Sequence, residues 1–506
     1  MGHSNAWLMS LFSLLFSEAA VGMNLYVLIH FLIAAAGVWV LARSLRLPFV
    51  WTLLIVVFFL FFPTHFQSYA AGHFNMMSVG FIPWFVWAFL LSVQVTGRRL
   101  GIRIRSWKYL GLTALFFALC LLSDYLPAAF LVFFCLFWYV YYRFSPAWYR
   151  LTPGWRVASL LLLFLALHVL THMLRFGLNL SDNAATWFQS DISHYLLPTP
   201  GQQWIYHHWF PDVWNNKTNW PANFLGYGVL ALLAYLLLSR RRIPHAAAPW
   251  LFVALLVVFF SLPELNFWGK NVRLNSPTAV LHYIPLLNQN RVPFRLQQIM
   301  WLCLGIGLAY WTAGRSGPVQ KTVPLLLLVF CLIEWIPTPS FMPKVNMRQI
   351  PAHMQALAEQ PGDVLLTIPV GIQDGERLEG KFDVNQMFFQ HVHRKKLLGG
   401  YIARVPQWIF EERLADPAWR FMLHWSAKPA VQSPELEPIQ EQAWKDFARV
   451  YKPDVVCIYP TYTHTPMMDS FIQLIRSQGF EPVRTVEGYQ IWAKASADPV
   501  SPVSAQ

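Results

Sequence analysis

Apolar runs long enough for membrane helices alternate with short polar gaps over the first two thirds of the chain. A helix crosses a bilayer in about 20 residues, and shorter runs suffice when flanking side chains reach the interface. The pattern predicts ten membrane-spanning helices, at residues 24–42, 49–63, 78–95, 108–123, 127–142, 157–174, 222–238, 248–262, 297–314 and 322–337.

From Phe341 onward the pattern changes. Short β-like runs (DVLLTIPV, KKLLGGYIA, PDVVCIYP, GYQIWAK) alternate with helix-like stretches at residues 351–359, 439–450 and 466–478, with Gly, Pro and Asp between them. We therefore predict a transmembrane domain over residues 1–338 and a soluble α/β domain over residues 339–495. Residues 496–506 have the composition of a disordered tail.

Composition agrees with a mostly α, polytopic membrane protein. Hydrophobic residues make up 56% of the chain and charged residues only 12%, and the mean hydropathy is +0.39; soluble domains carry about twice that share of charge. Four of the five cysteines lie inside apolar runs, and no metal or disulfide spacing emerges. We expect the fifth, Cys457, to be a buried lone thiol.

The formal net charge of +13 comes from basic residues that fall in alternate gaps between the apolar runs. Such clusters mark loops retained in the cytoplasm, so the remaining gaps, at residues 64–77, 175–221 and 263–296, and the α/β domain are predicted to be external. No basic, aromatic-interleaved soluble stretch indicates nucleic-acid binding. The basic residues are Arg43, Arg46, Arg98, Arg99, Arg103, Arg105, Lys108, Arg143, Arg150, Arg156, Arg240, Arg241, Arg242, Arg315 and Lys321.

This orientation places residues 1–22 outside, although they contain no basic n-region or cleavage site of a signal peptide. Residues 7–17 are suited to a helix lying at the membrane interface. Two explanations stay open: the N-terminus is translocated unaided, or a preceding helix is missing from this chain.

Several stretches resemble the GT-C superfamily of membrane glycosyltransferases, and more closely a group of bacterial inner-membrane proteins related to it. They are MNLYVLIHFLIAAAGVWVLARSLRLP, AGHFNMMSVGFIPWFVW, SDISHYLLPTP, IPLLNQNRVPFRL and IPVGIQDGERLEGKFDVNQMFFQHVHRKKLLGGYIARVP. The resemblance implies transfer of a hexose or pentose from a polyprenyl-phosphate carrier to a glycan, lipid or protein acceptor on the periplasmic face. It implies no nucleotide sugar and no cofactor.

In that superfamily a carboxylate in the first external loop acts as base or positions the acceptor. No Asp precedes Asp124 in this chain, and Glu18 is the sole acid upstream of it. We therefore expect the first helix and most of the first external loop to be missing, which places catalysis by this chain in question.

Glycosyl transfer needs a carboxylate that receives the acceptor proton and positive charge on the departing phosphate. The candidate carboxylates are Asp191, which has His194 beside it as a candidate substrate contact, Asp124 and Glu18. Helix capping is the alternative for Asp191, in SDISHYLL, and for Asp124, in LLSDYLP.

Arg291 and Arg295, in NRVPFRLQQ, are the candidate ligands of the lipid phosphate, because guanidinium groups at a membrane boundary favour anionic partners. The alternatives are contact with lipid headgroups or a salt bridge to Glu264. Lys270 and Arg273 add charge to the same predicted loop.

The gap at residues 64–77 contains His65, Gln67, His73 and Asn75. We predict an external turn whose polar side chains, His73 and Asn75 above all, face water or a cavity and bind sugar hydroxyls. A polar turn packed on neighbouring loops is the alternative. The histidine spacing alone does not predict a metal site, because the loop has no acid.

Two functional interpretations remain open on the sequence alone. The chain is a glycosyltransferase of the GT-C type, or it is a non-catalytic membrane scaffold or transporter with the same architecture. Transport is disfavoured because the apolar runs carry few ionisable residues for a translocation path.

Overall fold

The computed structural model describes most of the chain between residues 19 and 494. The described residues are 19–70, 74–96, 101–149, 166, 169, 170, 173, 191–198, 223–239, 243–262, 264–267, 270–275, 293–313, 319–337, 350–374, 377–402, 405–428, 440–465 and 467–494. They form two compact units, with the boundary between Pro343 and Lys344.

The first unit is a helical bundle. Its helices are α1 (Ala19–Ser44), α2 (Phe49–Leu60), α3 (Pro63–Ala70), α4 (Ile82–Ser92), α5 (Trp107–Ser123), α6 (Tyr125–Tyr149), α7 (Ser193–Leu196), α8 (Tyr227–Leu238), α9 (Ala248–Phe260), α10 (Gln297–Ala313) and α11 (Val319–Trp335). Short 3₁₀ helices lie at Phe74–Met77 and Pro293–Leu296. Two antiparallel hairpins accompany them, β1 (Val93–Thr96) with β2 (Gly101–Ile104) and β3 (Glu264–Phe267) with β4 (Lys270–Asn275).

Three helical stretches of the described residues are long and apolar enough to cross a membrane: Val21–Ser44, Phe49–Tyr69 and Tyr125–Ser145. Shorter apolar helices lie at Ile82–Ser92, Trp107–Ser123, Tyr227–Leu238 and Ala248–Phe260. The segment predicted at residues 157–174 lies almost entirely outside the described residues. The first unit thus has the helical, membrane-type character that the hydropathy pattern predicts.

Helix α10 occupies the centre of this bundle and is buried along nearly its whole length. It packs on α2 and α9, and glycines make both approaches close. A Cβ on Gly305 would lie 3.0 Å from a side-chain carbon of Ile55, and one on Gly307 only 2.6 Å from Leu251. Small residues at such crossings let helix backbones approach, which is how membrane helices gain packing energy.

Two gaps contain regular elements that the sequence pattern did not specify. Within residues 64–77, Pro63–Ala70 forms helix α3 and Phe74–Met77 a 3₁₀ helix. His65 and Gln67 are buried against protein, as in the alternative of a packed polar turn, and do not face water. The arginine-rich gap after α4 contains the β1–β2 hairpin. Polar residues in a short gap between apolar runs indicate that the chain reverses direction there, but they do not predict the local secondary structure.

The second unit contains a five-stranded sheet in the order β11-β12-β10-β5-β8 and a three-stranded sheet in the order β7-β6-β9. Strands β10, β5 and β8 are parallel, and β12 is antiparallel to both β10 and β11. The strands are β5 (Val364–Ile368), β6 (Gly371–Gln373), β7 (Leu378–Gly380), β8 (Lys396–Leu397), β9 (Gly400–Tyr401), β10 (Val455–Ile458), β11 (Phe480–Val486) and β12 (Tyr489–Lys494).

The helices of this unit are α12 (Ala352–Ala358), α13 (Val384–Phe388), α14 (Gln390–His393), α15 (Gln407–Ala415), α16 (Pro417–Ala427), α17 (Glu441–Tyr451) and α18 (Met468–Ser477), with a 3₁₀ helix at Pro460–Tyr462. The core lies around β10, all four residues of which are buried. Cys457 on this strand is buried without a disulfide, as expected, and burial raises the pKa of its thiol to about 12.

We expect Gly362→Ala to loosen the start of β5. Gly362 has φ +93°, and an added Cβ would lie 2.3 Å from the Cβ of Asp454. The Asp454 carboxylate accepts the N–H groups of Asp363 and Val364 at 2.8 and 3.0 Å, so displacing it also breaks these bonds. Hydrogen exchange of the full chain measures the result as faster exchange in β5 and β10.

Gly479→Ala is the matched control for this change. Its φ of +79° carries a similar left-handed backbone cost, but an added Cβ would meet nothing within 4 Å. Left-handed strain alone costs about 1–3 kcal/mol. Equal loss of protection at β5 in the two variants would contradict the close contact at Gly362.

Candidate functional site

A chain of buried hydrogen bonds joins four segments of the bundle that are distant in sequence. Thr64 donates to Oε1 of Gln297 at 3.1 Å, and Nε2 of Gln297 donates to the hydroxyl of Tyr195 at 3.2 Å. The hydroxyl oxygens of Tyr195 and Ser261 are 2.6 Å apart, and Ser261 donates to the carbonyl of Val258 at 2.6 Å. We call the end of the bundle marked by Thr64, Tyr195, Ser261 and Gln297 the polar end.

The hydrogen bonds of the polar end have a defined direction. Since Ser261 gives its proton to a carbonyl, Tyr195 donates to Ser261, and Gln297 donates to Tyr195. Burial raises the pKa of Tyr195 to about 12, against the opposing effect of its two side-chain hydrogen bonds, so the phenol stays protonated at neutral pH. Aligned bonds of this kind strengthen one another where the local dielectric is low.

Asp191 lies beside the polar end and is hydrogen bonded to Ser193, the first residue of α7. Its Oδ1 accepts the backbone N–H and the hydroxyl of Ser193 at 2.7 and 2.6 Å. The backbone N–H of Asp191 points to Nδ1 of His194 at 3.3 Å. Burial lowers the pKa of His194 to about 4 although Asp191 opposes the shift, so the imidazole is neutral at pH 7.

Asp124 has a similar local role in a second group of polar side chains. Its Oδ1 accepts the N–H of Leu126 at 2.8 Å and so caps α6. The carboxylate lies within electrostatic range of Tyr26, whose hydroxyl is hydrogen bonded to Ser78. Nε2 of Gln298 donates to the carbonyl of Met76 at 3.0 Å. Gln298 is the neighbour of Gln297, which marks the polar end. The hydrogen bond from Gln298 to Met76 therefore places the 3₁₀ helix Phe74–Met77 near the polar end.

Glu334 is a buried carboxylate that the sequence reasoning missed. Its two oxygens accept the N–H groups of Tyr227 and Gly228, at 3.0 and 3.4 Å, so it caps α8 from a different helix. Gly226 makes this approach possible, because a Cβ there would lie 2.6 Å from Oε2 of Glu334. The backbone N–H of Leu225 donates to the carbonyl of Tyr195 at 3.1 Å and places this group at the polar end.

The signal for Glu334 was available in the sequence. The candidate acids Asp124 and Asp191 lie in gaps between apolar runs, whereas Glu334 lies inside the run at residues 322–337. An acid inside an apolar run is costly and marks a functional or structural requirement.

Some buried polar atoms near the polar end have no hydrogen-bond partner within the described residues. His65 contacts the carbonyl of Leu60 through Nδ1 at 2.9 Å, which leaves Nε2 without a partner. Oε1 of Gln298 and Nε1 of Trp301 and Trp335 are also unpartnered. Unmet polar groups are expensive in a protein interior, and they indicate where a ligand or water forms hydrogen bonds.

The other candidates are placed only in part. Arg295 is half-buried in the 3₁₀ helix that precedes Gln297, at the polar end. Asn75 belongs to the 3₁₀ helix Phe74–Met77, but its side chain, like Glu18, His73 and Arg291, lies outside the described residues. Within the part of the chain that the structure describes, no three His, Cys, Asp or Glu residues converge as metal ligands do.

No protein-family model matches the chain. No match is found among curated proteins, and none among solved structures.

We expect Tyr195→Phe to destabilise the bundle by about 1–3 kcal/mol, since the amide of Gln297 and the hydroxyl of Ser261 each lose a buried partner. The apparent melting temperature of the full chain in detergent measures this loss. Tyr139→Phe is the control, because its hydroxyl has no hydrogen bond in the described part of the chain. A melting temperature equal to that of the control would show that the buried chain of hydrogen bonds contributes no stability.

Proposed function

We propose that the protein is a bacterial inner-membrane glycosyltransferase of the GT-C type. It transfers a hexose or pentose from a polyprenyl phosphate to a glycan, lipid or protein acceptor at the polar end of the bundle. In this proposal the bundle has ten spans, the polar end faces the periplasm, and the second unit is periplasmic.

One observation carries the proposal: the carboxylates of Asp124, Asp191 and Glu334 are all buried within an otherwise apolar helix bundle. Burying a carboxylate in such surroundings is expensive unless hydrogen bonds stabilise it. Each of the three is so stabilised, and each belongs to a segment remote in sequence from the other two. Three buried carboxylates in one apolar bundle therefore support a functional site.

The proposed reaction needs a proton acceptor, positive charge at the leaving phosphate and hydrogen-bond partners for the sugar. The acceptor oxygen forms a bond to the anomeric carbon while the bond from that carbon to the phosphate oxygen breaks. A carboxylate, for which Asp191 is our first candidate, receives the acceptor proton. Arg291 and Arg295 stabilise the charge that develops on the departing polyprenyl phosphate. His194, neutral at pH 7, serves as a hydrogen-bond partner for sugar hydroxyls rather than as a cation.

The contacts at the two ends of helix α10 support the proposed orientation of the bundle in the membrane. The hydroxyl of Tyr310, near the end of α10, donates to the carbonyl of Leu45 at 2.9 Å, and Leu45 lies between Arg43 and Arg46. The first residue of α10, Gln297, belongs to the polar end. The arginine-rich ends thus lie opposite the polar end, and the tendency of arginine to be retained in the cytoplasm supports the proposal that the polar end faces the periplasm.

A non-catalytic membrane protein, a scaffold or a transporter, is the second candidate function. The observation that favours it is that Asp124, Asp191 and Glu334 each accept backbone N–H groups at a helix start. Such bonds are a sufficient structural reason for a carboxylate at these positions.

Substitutions that keep the caps separate the two functions. We expect Asp191→Asn to reduce sugar transfer from polyprenyl-phosphate donors in membranes by at least about 10²-fold, the contribution typical of a general base, because Asn retains the cap but cannot take the proton. Asp124→Asn and Glu334→Gln test the other two carboxylates in the same assay. Asp446→Asn, an exposed acid of the second unit, is the control.

If the Asp191→Asn, Asp124→Asn and Glu334→Gln variants all transferred sugar at the rate of the control, the proposed enzymatic function would be wrong. Arg295→Ala is expected to raise the KM for the lipid donor more than it lowers kcat, since its proposed partner is the lipid phosphate.

Labelling of single cysteines tests the orientation. Ser477→Cys and Arg103→Cys place a thiol at exposed positions of the second unit and of the β1–β2 hairpin. In cells with a permeabilised outer membrane, an impermeant maleimide is expected to label Ser477→Cys at once and Arg103→Cys after lysis. The reverse order would place the second unit in the cytoplasm and contradict the proposed site of reaction. The native chain is the control for labelling of its five buried or half-buried thiols.

A further inference from the structure

The second unit carries a group of polar and aromatic side chains at one edge of its main sheet. Tyr459 directly follows β10, and Tyr489 begins β12 at the same edge, since Ile458 pairs with Gln490 in the antiparallel register. His353, at the start of α12, stacks on Tyr489 with ring centroids 3.7 Å apart and planes 7° apart. Asp383 and Gln386 complete the group, which we call the edge cluster.

The edge cluster lies where the sheet topology changes direction. The chain passes from β5 to β8 on one side of β5, whereas β10 pairs with β5 on the other side. Tyr459 marks the carboxyl end of β10, and its backbone N–H donates to the carbonyl of Ile368, the last residue of β5, at 2.8 Å. Ligands of open α/β sheets bind in the crevice outside the carboxyl ends of parallel strands at such a switch point.

Hydrogen bonds hold the edge cluster together. The hydroxyl of Tyr459 donates to Oδ2 of Asp383 at 2.9 Å and accepts from Nε2 of Gln386. Oδ1 of Asp383 accepts the N–H of Asn385 at 3.0 Å and caps α13. Tyr459 also contacts the edge of the Tyr489 ring, with centroids 4.8 Å apart. The carboxylate, the amide and the two phenol rings are therefore held in fixed positions.

Two buried polar atoms of the edge cluster have no hydrogen bond within the described residues. Oε1 of Gln386 has none, although this side chain is 1% exposed. Nδ1 of His353, in a residue 7% exposed, has none either. Its nearest acid is Glu487, whose Oε2 is 3.7 Å away, which is too long for a hydrogen bond. Oε1 of Gln386 in particular lacks the partner that a ligand hydroxyl at this edge would supply.

The charges around the edge cluster select the kind of ligand. Asp383 and Glu487 both act on His353 and Tyr489, and no hydrogen bond, ion pair or ring contact of the described residues brings a lysine or arginine to the cluster. Burial lowers the pKa of His353 against the effect of both acids, so it supplies no cation at neutral pH. An anion is thus repelled, whereas hydroxyl groups suit the carboxylate and amide, and an aromatic ring suits the apolar face of a sugar ring.

We propose that the edge cluster binds a neutral sugar residue, which packs on Tyr489 and hydrogen-bonds Asp383, Gln386 and His353. All of its residues lie in the second unit, so this site stands whether or not the bundle transfers sugars.

The test is binding of the full-length chain, in lipid nanodiscs, to an array of neutral, aminated and acidic oligosaccharides. We expect retention on neutral oligosaccharides and a loss of about tenfold in affinity for both Tyr489→Ala and Asp383→Asn, the effect of one charge-assisted hydrogen bond or one ring contact. Asparagine at position 383 retains the cap of α13. Tyr489→Phe keeps the ring and is expected to bind as the native chain does.

Tyr401→Ala is the matched control, since Tyr401 is a partly exposed tyrosine of the same unit on β9, outside the edge cluster. Retention on acidic oligosaccharides alone, on none of the array, or equally by the native chain and both loss variants would overturn the proposal. The assay reads binding without transfer, so an inactive bundle leaves its result unchanged. Conversely, loss of sugar transfer in Asp191→Asn leaves the array result unaffected.

Discussion

The first unit depends on how the central helix begins inside an apolar bundle. Helix α10 opens with Gln297 and Gln298, both buried, and amides in such surroundings cost several kcal/mol unless they are hydrogen bonded. Gln297 meets this requirement with Thr64 and Tyr195, whereas Gln298 meets it only through Nε2, which donates to the carbonyl of Met76. Four segments are thereby brought to one point. A purely apolar start of α10 would pack as well but would not determine which loops meet there.

The same requirement explains why the acids of the bundle suit both a structural role, in capping a helix, and a catalytic role. Asp191 accepts an N–H group at the start of a helix, which is a sufficient structural reason for an aspartate at this position. A proton-accepting role would use the same carboxylate. Capping and catalysis therefore make compatible demands on Asp191, and only the retention of the cap in an asparagine variant separates them. Glu334 differs because it caps a helix other than its own, and that cross-bundle contact is more than local propensity requires.

Much of the fold follows from the sequence pattern, and the reasons for the failures are physical. Apolar runs give the helices within a few residues: the predicted segment 108–123 is the helix Trp107–Ser123, and the predicted segment 248–262 contains Ala248–Phe260. At residues 64–77 the polar pattern left exposure and packing as alternatives, and the structure favours packing, since His65 is buried and hydrogen bonded to a backbone carbonyl. In the second unit the predicted runs coincide with β5, β10 and β12, but β11 was missed. Its sequence, FEPVRTV, contains a proline and charges because it is an edge strand, where such residues are tolerated.

The sites were harder to predict than the elements because they are assembled from separate segments. The edge cluster combines residues between His353 and Tyr489, and no local pattern connects them. One part of it is local, however. The hairpin that presents Tyr489 turns at Glu487 and Gly488, with φ of 52° and 82°, and two successive positive φ values suit the right-handed twist of the flanking strands. That geometry sets Glu487 near His353 and begins β12 with the tyrosine ring against the imidazole. A dipeptide Glu-Gly is an uncommon choice for such a turn, since Asn or Asp accepts positive φ more readily. The left-handed residue of this turn is thus the acid whose Oε2 lies 3.7 Å from Nδ1 of His353.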